Sequence, residues 1–226
     1  MIFLLVRKVI EFLFMKKIEE SVKKLKKNKI KKQVDKRIKQ FSGFKNKSNK
    51  EWFSELCFCI LTANSKASTA INIQNELTAS GFCNYCLRDL RGVIKRNKHR
   101  FHNNKARYIV EARKHINIKD KIKKLVKEKG ETSARDWLVK NIKGLGYKEA
   151  SHFLRNVGYK NLAILDRHIL KLMYENRIIR GIPKTVSKKE YLEIENKFLQ
   201  LASKLGMTCA ELDMYLWSMK TGIVLK

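Results

Sequence analysis

The chain has 226 residues, 44% of them hydrophobic, with 51 Lys and Arg against 21 Asp and Glu, a formal charge of +30. That is enough to bury a substantial core, as one domain or two interlocked helical ones, and a single proline with few strand-like alternations argues against a sheet-built fold and for an all-α one. The charge points to a polyanionic partner, nucleic acid first and an acidic membrane surface second; part of the excess is a background bias toward Lys, Ile and Asn, so charge alone does not choose.

Residues 1–14 look superficially like a secretion signal. Arg7, Lys8 and Glu11 interrupt the apolar run, no cleavage site follows, and the run is too short to span a bilayer. Residues 16–50 carry a dense lysine run with Phe41 and Phe44 near its end, the pattern of an amphipathic helix with a solvated basic face. From Glu51 to Leu77 the pattern predicts two buried helices joined near Asn64, the first striped by Trp52, Phe53, Leu56, Cys57, Ile60 and Leu61. Asn64 at that joint reads on its own as a helix cap.

Cys83 and Cys86 form a lone C-x-x-C; Cys57 and Cys59 fall within an apolar helix and Cys209 is far away, so no second ligand pair exists for zinc. Reduced thiols in a cytosolic setting are expected. Phe101 to Tyr108 is a basic loop with one phenylalanine, readable as surface plus one core anchor. A helix is predicted from Tyr108, and residues 119–130 as a charged helix or linker.

The densest information lies at 134–158. Ser133-Ala134-Arg135-Asp136 is a capping-box-like start, and Ala134, Leu138 and Ile142 give one apolar face. Lys143-Gly144-Leu145-Gly146 then breaks the helix. A second one follows at once, faced by Ala150, Phe153, Leu154 and Val157 and stopped by Gly158. Such a helix–hairpin–helix leaves N–H groups at a helix start that suit a phosphate, directly or through a cation; the same joint also serves as plain scaffold. Lys148 falls in the first turn of the second helix, where the macrodipole disfavours a cation. In so basic a chain it has several reasons for a depressed pKa and a useful neutral fraction, and otherwise it is a solvated lysine. Eighteen residues later the run Leu162–Leu165 delivers Asp166 to the start of a helix marked by Ile169, Leu170 and Met173. It is a good N-cap there, and capping keeps it ionised.

After Asp166, the stretch from Ile178 to Lys189 holds the one proline and reads as a loop. Helices are predicted over Lys188–Leu205 and Cys209–Lys220, the last carrying Asp213 and Trp217 four apart. Gly222 ends it, and the tail Ile223-Val224-Leu225-Lys226 is apolar enough to dock.

Gly-Leu-Gly-Tyr-Lys at 144–148 followed by an apolar run and Asp166-Arg167-His168 resembles the helix–hairpin–helix DNA glycosylase superfamily, with lysine at the nucleophile position. The match is to its archaeal-type 8-oxoguanine DNA glycosylase/AP lyase family, over about Met15 to Lys226, which implies that residues 1–14 are an N-terminal extension or follow from a mis-assigned upstream start. The resemblance implies two helical subdomains with a DNA-facing cleft, and excision of 8-oxoguanine with nicking of the abasic site. Lys148 is the implied nucleophile and Asp166 the stabiliser of developing positive charge. It further implies that Asn64 enters the space left by the extruded base, that Phe101 is an apolar wedge, and that Lys143, Gly144 and Gly146 meet the backbone phosphates. Trp217, whose residue type alone suggests core packing, matches the residue that stacks on the base. The Lys226 carboxylate matches the group that accepts from guanine's Watson–Crick edge, and Asp213 is a further base-side carry-over that N-terminal helix charge explains equally. The cluster-binding cysteine loop of some relatives is absent, so no iron–sulfur cluster, metal or organic cofactor is expected; an alkali cation at the Gly144–Gly146 hairpin would only hold phosphate. The implied protein is a monomer acting on double-stranded DNA in a prokaryotic cytoplasm, at the nucleoid. A glycosylase for another oxidised base and a non-catalytic helix–hairpin–helix binding protein are the alternatives.

Overall fold

The computed structural model describes residues 16–224 and Lys226; the N-terminal stretch 1–14 and Leu225 of the apolar tail lie outside the described residues. Among the described residues every regular element is helical. The chain divides into two compact units: one is the segment Phe41–Tyr159, the other combines residues up to Gln40 with Lys160–Lys226.

The hairpin unit, Phe41–Tyr159, is built around α3 (Asn49–Thr62), in which every residue from Trp52 to Thr62 is buried. A helix apolar on all sides has no solvent face and must be surrounded. Here α4 (Ala67–Asn84), α6 (His102–Ala112), α7 (Ile118–Asn141) and α8 (Tyr147–Asn156) all pack on it, with α5 (Leu87–Arg96) against α4 and α6. Ser48 starts α3 with a full capping box to Glu51. A single 3-10 turn, Arg113–His115, links α6 to α7.

Three boundaries differ from the sequence expectation. The second half of α7 starts at Gly130, which takes φ +82°, and not at Ser133, whose hydroxyl donates back to the Lys129 carbonyl at 2.8 Å. Glycine takes positive φ without steric cost, so the break falls at Gly130, three residues upstream of the capping pattern. Second, the loop expected over Phe101–Tyr108 is loop only as far as Phe101, since α6 begins at His102. Third, the lysine run is not one helix: residues 16–26 form α1, and Asn28, accepting from Ile30 N at 2.8 Å, starts α2 (Lys29–Phe44).

In the other unit, Ile18 and Val22 of α1 and Ile30 and Val34 of α2 are buried at i,i+4 spacing, their lysines outward. Helices α9 (Arg167–Glu175) and α10 (Lys188–Lys204) both pack on α11 (Cys209–Thr221). The loop between α9 and α10 falls where the proline predicted it. Ser187 and Thr208 open α10 and α11 with capping boxes to Glu190 and Glu211, and Gly222 closes α11 at φ +75°.

Candidate functional site

The hairpin is made by Gly144. It sits at φ +88°, where only glycine is unstrained, and a Cβ there would come within 2.5 Å of the Tyr108 ring. Gly146 has an ordinary extended backbone as N-cap of α8, and its N–H donates to Glu149 Oε2 at 3.2 Å. That is half of a capping box, glycine having no side-chain oxygen to return. One hairpin N–H is therefore already engaged; those of Tyr147 and Lys148, in the first helical turn, have no acceptor inside the helix. Lys143 is exposed, its ammonium 5.6 Å from the centre of the Tyr108 ring and 3.5 Å from Glu111 Oε1. A cavity of about 330 Å3 lies beside the turn, lined by Glu111, Lys140, Lys143 and Gly144 among others.

Helix α8 is held from both sides. Ala150, Phe153, Leu154 and Val157 are fully buried, as their spacing predicted, with Phe153 edge-on to Trp52. Tyr147 at its first turn donates to Asp136 at 2.8 Å, and the buried Arg135 guanidinium stacks on its ring. Lys148 is thus carried on a braced helix start. Its Nζ lies 2.9 Å from Glu149 Oε1, with the side chain 27% exposed. The lysine is thus neither fully solvated nor alone, with a carboxylate beside it.

A second lysine enters the same neighbourhood. Lys105 is 5% exposed, donates to the Ile60 carbonyl at 2.6 Å, and feels the charges of Glu149 and Lys148. Burial pulls its pKa down to about 8; Glu149 works against that shift and Lys148 adds to it. Asn64 is exposed at φ +60°, one residue past the C-cap of α3, a conformation asparagine tolerates better than most. Phe101 is half-buried at the N-cap of α6, with the Arg100 guanidinium 4.4 Å from its ring.

Asp166, Asp213, Trp217 and Lys226 belong to the other unit. Asp166 accepts from Ile169 N at 2.8 Å, the N-cap expected of it. The run before it is braced by α10: Glu195 accepts from Ala163 N at 3.0 Å, and the Tyr191 hydroxyl donates to Ala163 O at 2.7 Å. Trp217 on α11 is half-buried, edge-on to His168 on α9 with centroids 6.3 Å apart, which sets it beside the helix that Asp166 caps. Asp213 is buried at 3% exposure, and Lys226 is half-buried. Helix-start charge does not explain Asp213, since Glu211 fills that role.

Residues 34–207 match the family model described as Ogg-HhH, 8-oxoguanine DNA glycosylase. The 8-oxoguanine DNA glycosylase/AP lyase of Methanocaldococcus jannaschii is 52% identical over 214 residues, 95% of this chain and 100% of that protein. The Aquifex aeolicus protein of the same name is 46% identical over 77% of this chain and 78% of its own. This chain belongs to the Ogg-HhH family of 8-oxoguanine DNA glycosylases. The solved structure of the M. jannaschii glycosylase/lyase with a 15mer DNA containing 8-oxoguanine matches at TM-score 0.89 and 50% identity, covering 92% of this chain and 99% of that one. The glycosylase of Thermotoga maritima matches at TM-score 0.87 and 36% identity, over 94% and 100%.

Within this Ogg-HhH chain, sequence reasoning passed over Lys105, His99 and Glu149. Glu149 was findable: an acid three residues after a helix N-cap is a recurrent start signal. Lys105 and His99 were not, because their partners are carbonyls 45 and 38 residues away. Among the described residues no group of three His, Cys, Asp or Glu is placed to hold a metal ion, and no helix is long and apolar enough to cross a membrane.

Proposed function

We propose that this chain excises 8-oxoguanine from double-stranded DNA and then nicks the abasic site, with Lys148 as nucleophile. The observation that carries the reading is the lysine in the first turn of the helix after the glycine hairpin, in a chain that matches the 8-oxoguanine DNA glycosylase family over residues 34–207. The damaged nucleotide is flipped from the stack at a cost of a few kcal/mol, offset in part by Asn64 filling the gap and Phe101 wedging the duplex. The Lys148 amine attacks C1′ as the bond to the base breaks, and the electron pair of that bond leaves with the base. Attack requires a free amine lone pair, and the Glu149 carboxylate 2.9 Å away is a base within hydrogen-bond reach. Ionised Asp166 stabilises the positive charge that develops on the sugar. Ring opening gives an imine between Lys148 and C1′; loss of a C2′ proton and departure of the 3′ phosphate then cut the strand by β-elimination.

Trp217 stacks on the extruded base, the Lys226 carboxylate accepts from its N1–H and amine, and Asp213 supports that side of the pocket. Lys143 and the backbone at Gly144 and Gly146 hold phosphate. An alkali cation at the hairpin would neutralise phosphate there, and no step of the chemistry passes through it. The enzyme works as a monomer on nucleoid DNA in the cytoplasm of a prokaryotic cell.

The test is borohydride trapping on a duplex with one 8-oxoguanine. Wild type is expected to give a covalent adduct, and Lys148→Gln none while still binding DNA. An adduct on an oxidised-pyrimidine duplex alone would replace the substrate. Tight DNA binding with no adduct on either duplex would replace the enzyme with a binding module.

A further inference from the structure

The last four carbonyls of an α-helix have no donor within it. At the end of α3 all four are met. The Thr62 hydroxyl donates to Cys59 O at 2.9 Å, Lys105 Nζ to Ile60 O at 2.6 Å, His99 Nε2 to Leu61 O at 2.9 Å, and Ser65 N to Thr62 O at 3.1 Å. Two of these four donors are side chains from one distant segment, residues 99–105, and the helix they cap leads directly into Asn64.

His99 does more than cap. It is 2% exposed, and its other ring nitrogen, Nδ1, accepts the Phe101 backbone N–H at 3.1 Å. An accepting Nδ1 leaves the single proton on Nε2, where it donates to Leu61 O. One neutral imidazole thus ties the main chain at Phe101 to the carbonyl three residues before Asn64. Strained backbone flanks the tie on both sides: Asn64 at φ +60° and Lys98 at φ +59°. Non-glycine residues persist there only where their surroundings over-determine them, and such outliers gather at working sites.

We propose that His99 is a positioning residue that locks the Asn64 turn and the Phe101 turn into one rigid body, so that both side chains enter the duplex in fixed register. The proposal rests on the reading above that those two residues face DNA. Gap-filling and wedging act on the same opened base step, so the two side chains work best when held at a fixed spacing. The tie needs a neutral ring. Burial holds the His99 pKa below its ordinary 6.5, the charges of Lys105 and His102 act the same way, and the bond to Leu61 O opposes them.

The experiment compares wild type with His99→Ala, His99→Gln and His99→Asn. Three quantities are read: single-turnover excision from an 8-oxoguanine duplex, borohydride trapping at a preformed abasic site, and fluorescence of 2-aminopurine beside the lesion. The Gln amide reaches the Nε2 position and restores the bond to Leu61. The Asn oxygen occupies the Nδ1 position and restores the bond from Phe101. His99→Ala is expected to lose excision by about ten- to a hundredfold, the scale of an ångström misplacement, with a weaker 2-aminopurine signal. Abasic-site trapping, where no base has to be expelled, should stay within about threefold of wild type, since an already damaged position flips at least cost. His99→Gln and His99→Asn should fall between. Equal losses on both substrates, wild-type excision by His99→Ala, or Gln and Asn variants no better than Ala would each overturn the proposal. If wild type itself traps nothing on the 8-oxoguanine duplex, the functional reading fails and this one with it; failure confined to the variants touches His99 alone.

Discussion

The two units hold their proposed catalytic residues in opposite ways. Asp166 is bound into the fold by its own carboxylate, which caps α9, while the Lys148 ammonium pairs with the adjacent Glu149 and relies on what braces the helix beneath it. Those braces are Tyr147 on Asp136, Arg135 over Tyr147, and the buried apolar side chains Ala150, Phe153 and Leu154 of α8. An acid that also caps is held and oriented by the bond it makes. An amine that must become covalent has to be free of such duties. Charge and position are therefore inseparable at Asp166 and separate at Lys148.

Asp166→Asn should break that contrast with the largest effect. Asparagine caps as well as aspartate, so the melting temperature should hold while single-turnover excision falls by about 10²–10³, the usual scale for removing charge stabilisation. A large loss of stability would mean that the carboxylate's main task is the cap. Gly144→Ala attacks the scaffold on the lysine side. Positive φ alone costs about 1–2 kcal/mol, with the clash against Tyr108 added to it. Denaturant melts of Gly144→Ala with and without Tyr108→Ala should show the clash relieved and the φ cost left behind.

Thr208→Ala, which removes the hydroxyl half of the α11 capping box, should cost about 1 kcal/mol in a urea melt, with excision affected only through the amount of folded enzyme. The smallest effect is a pH slope. A lysine with pKa about 8 in the folded state and 10.5 unfolded binds its proton less tightly when folded, so its contribution to stability rises with pH between those values. Wild type should therefore gain about 1 kcal/mol over Lys105→Met between pH 8 and pH 9, by the linkage relation. A constant offset across that range would show that Lys105 does not titrate there.

What the sequence revealed follows the same division. Asp166 was legible because a cap is a local arrangement: an acid, three residues, an apolar helical face. The apolar residues of α3 and α8 were legible from their helical spacing, although both helices are buried over most of their length on every side, and the hairpin because glycines interrupt that spacing. Locality also misled at Ser133, where a good capping pattern lost to a glycine three residues earlier. His99 and Lys105 were illegible for a physical reason. Their meaning lies in carbonyls on α3 that only packing brings near, and in a lysine-rich chain nothing marks those two basic side chains as buried. The burial of Asp213 was illegible for the same reason, since it depends on how α11 is covered.

The hairpin unit is one uninterrupted segment, whereas the unit with Asp166 is assembled from residues on either side of it. A ribosome adding roughly 5–20 residues per second takes about 6–24 s to pass through the 119 residues from Phe41 to Tyr159. For that interval Ile18, Val22, Ile30 and Val34 lack the later helices of their own unit, whereas α4, α6, α7 and α8, which pack on α3, are all made within it. The order of synthesis thus adds every residue of the unit that carries Lys148 before Asp166 is joined to the chain.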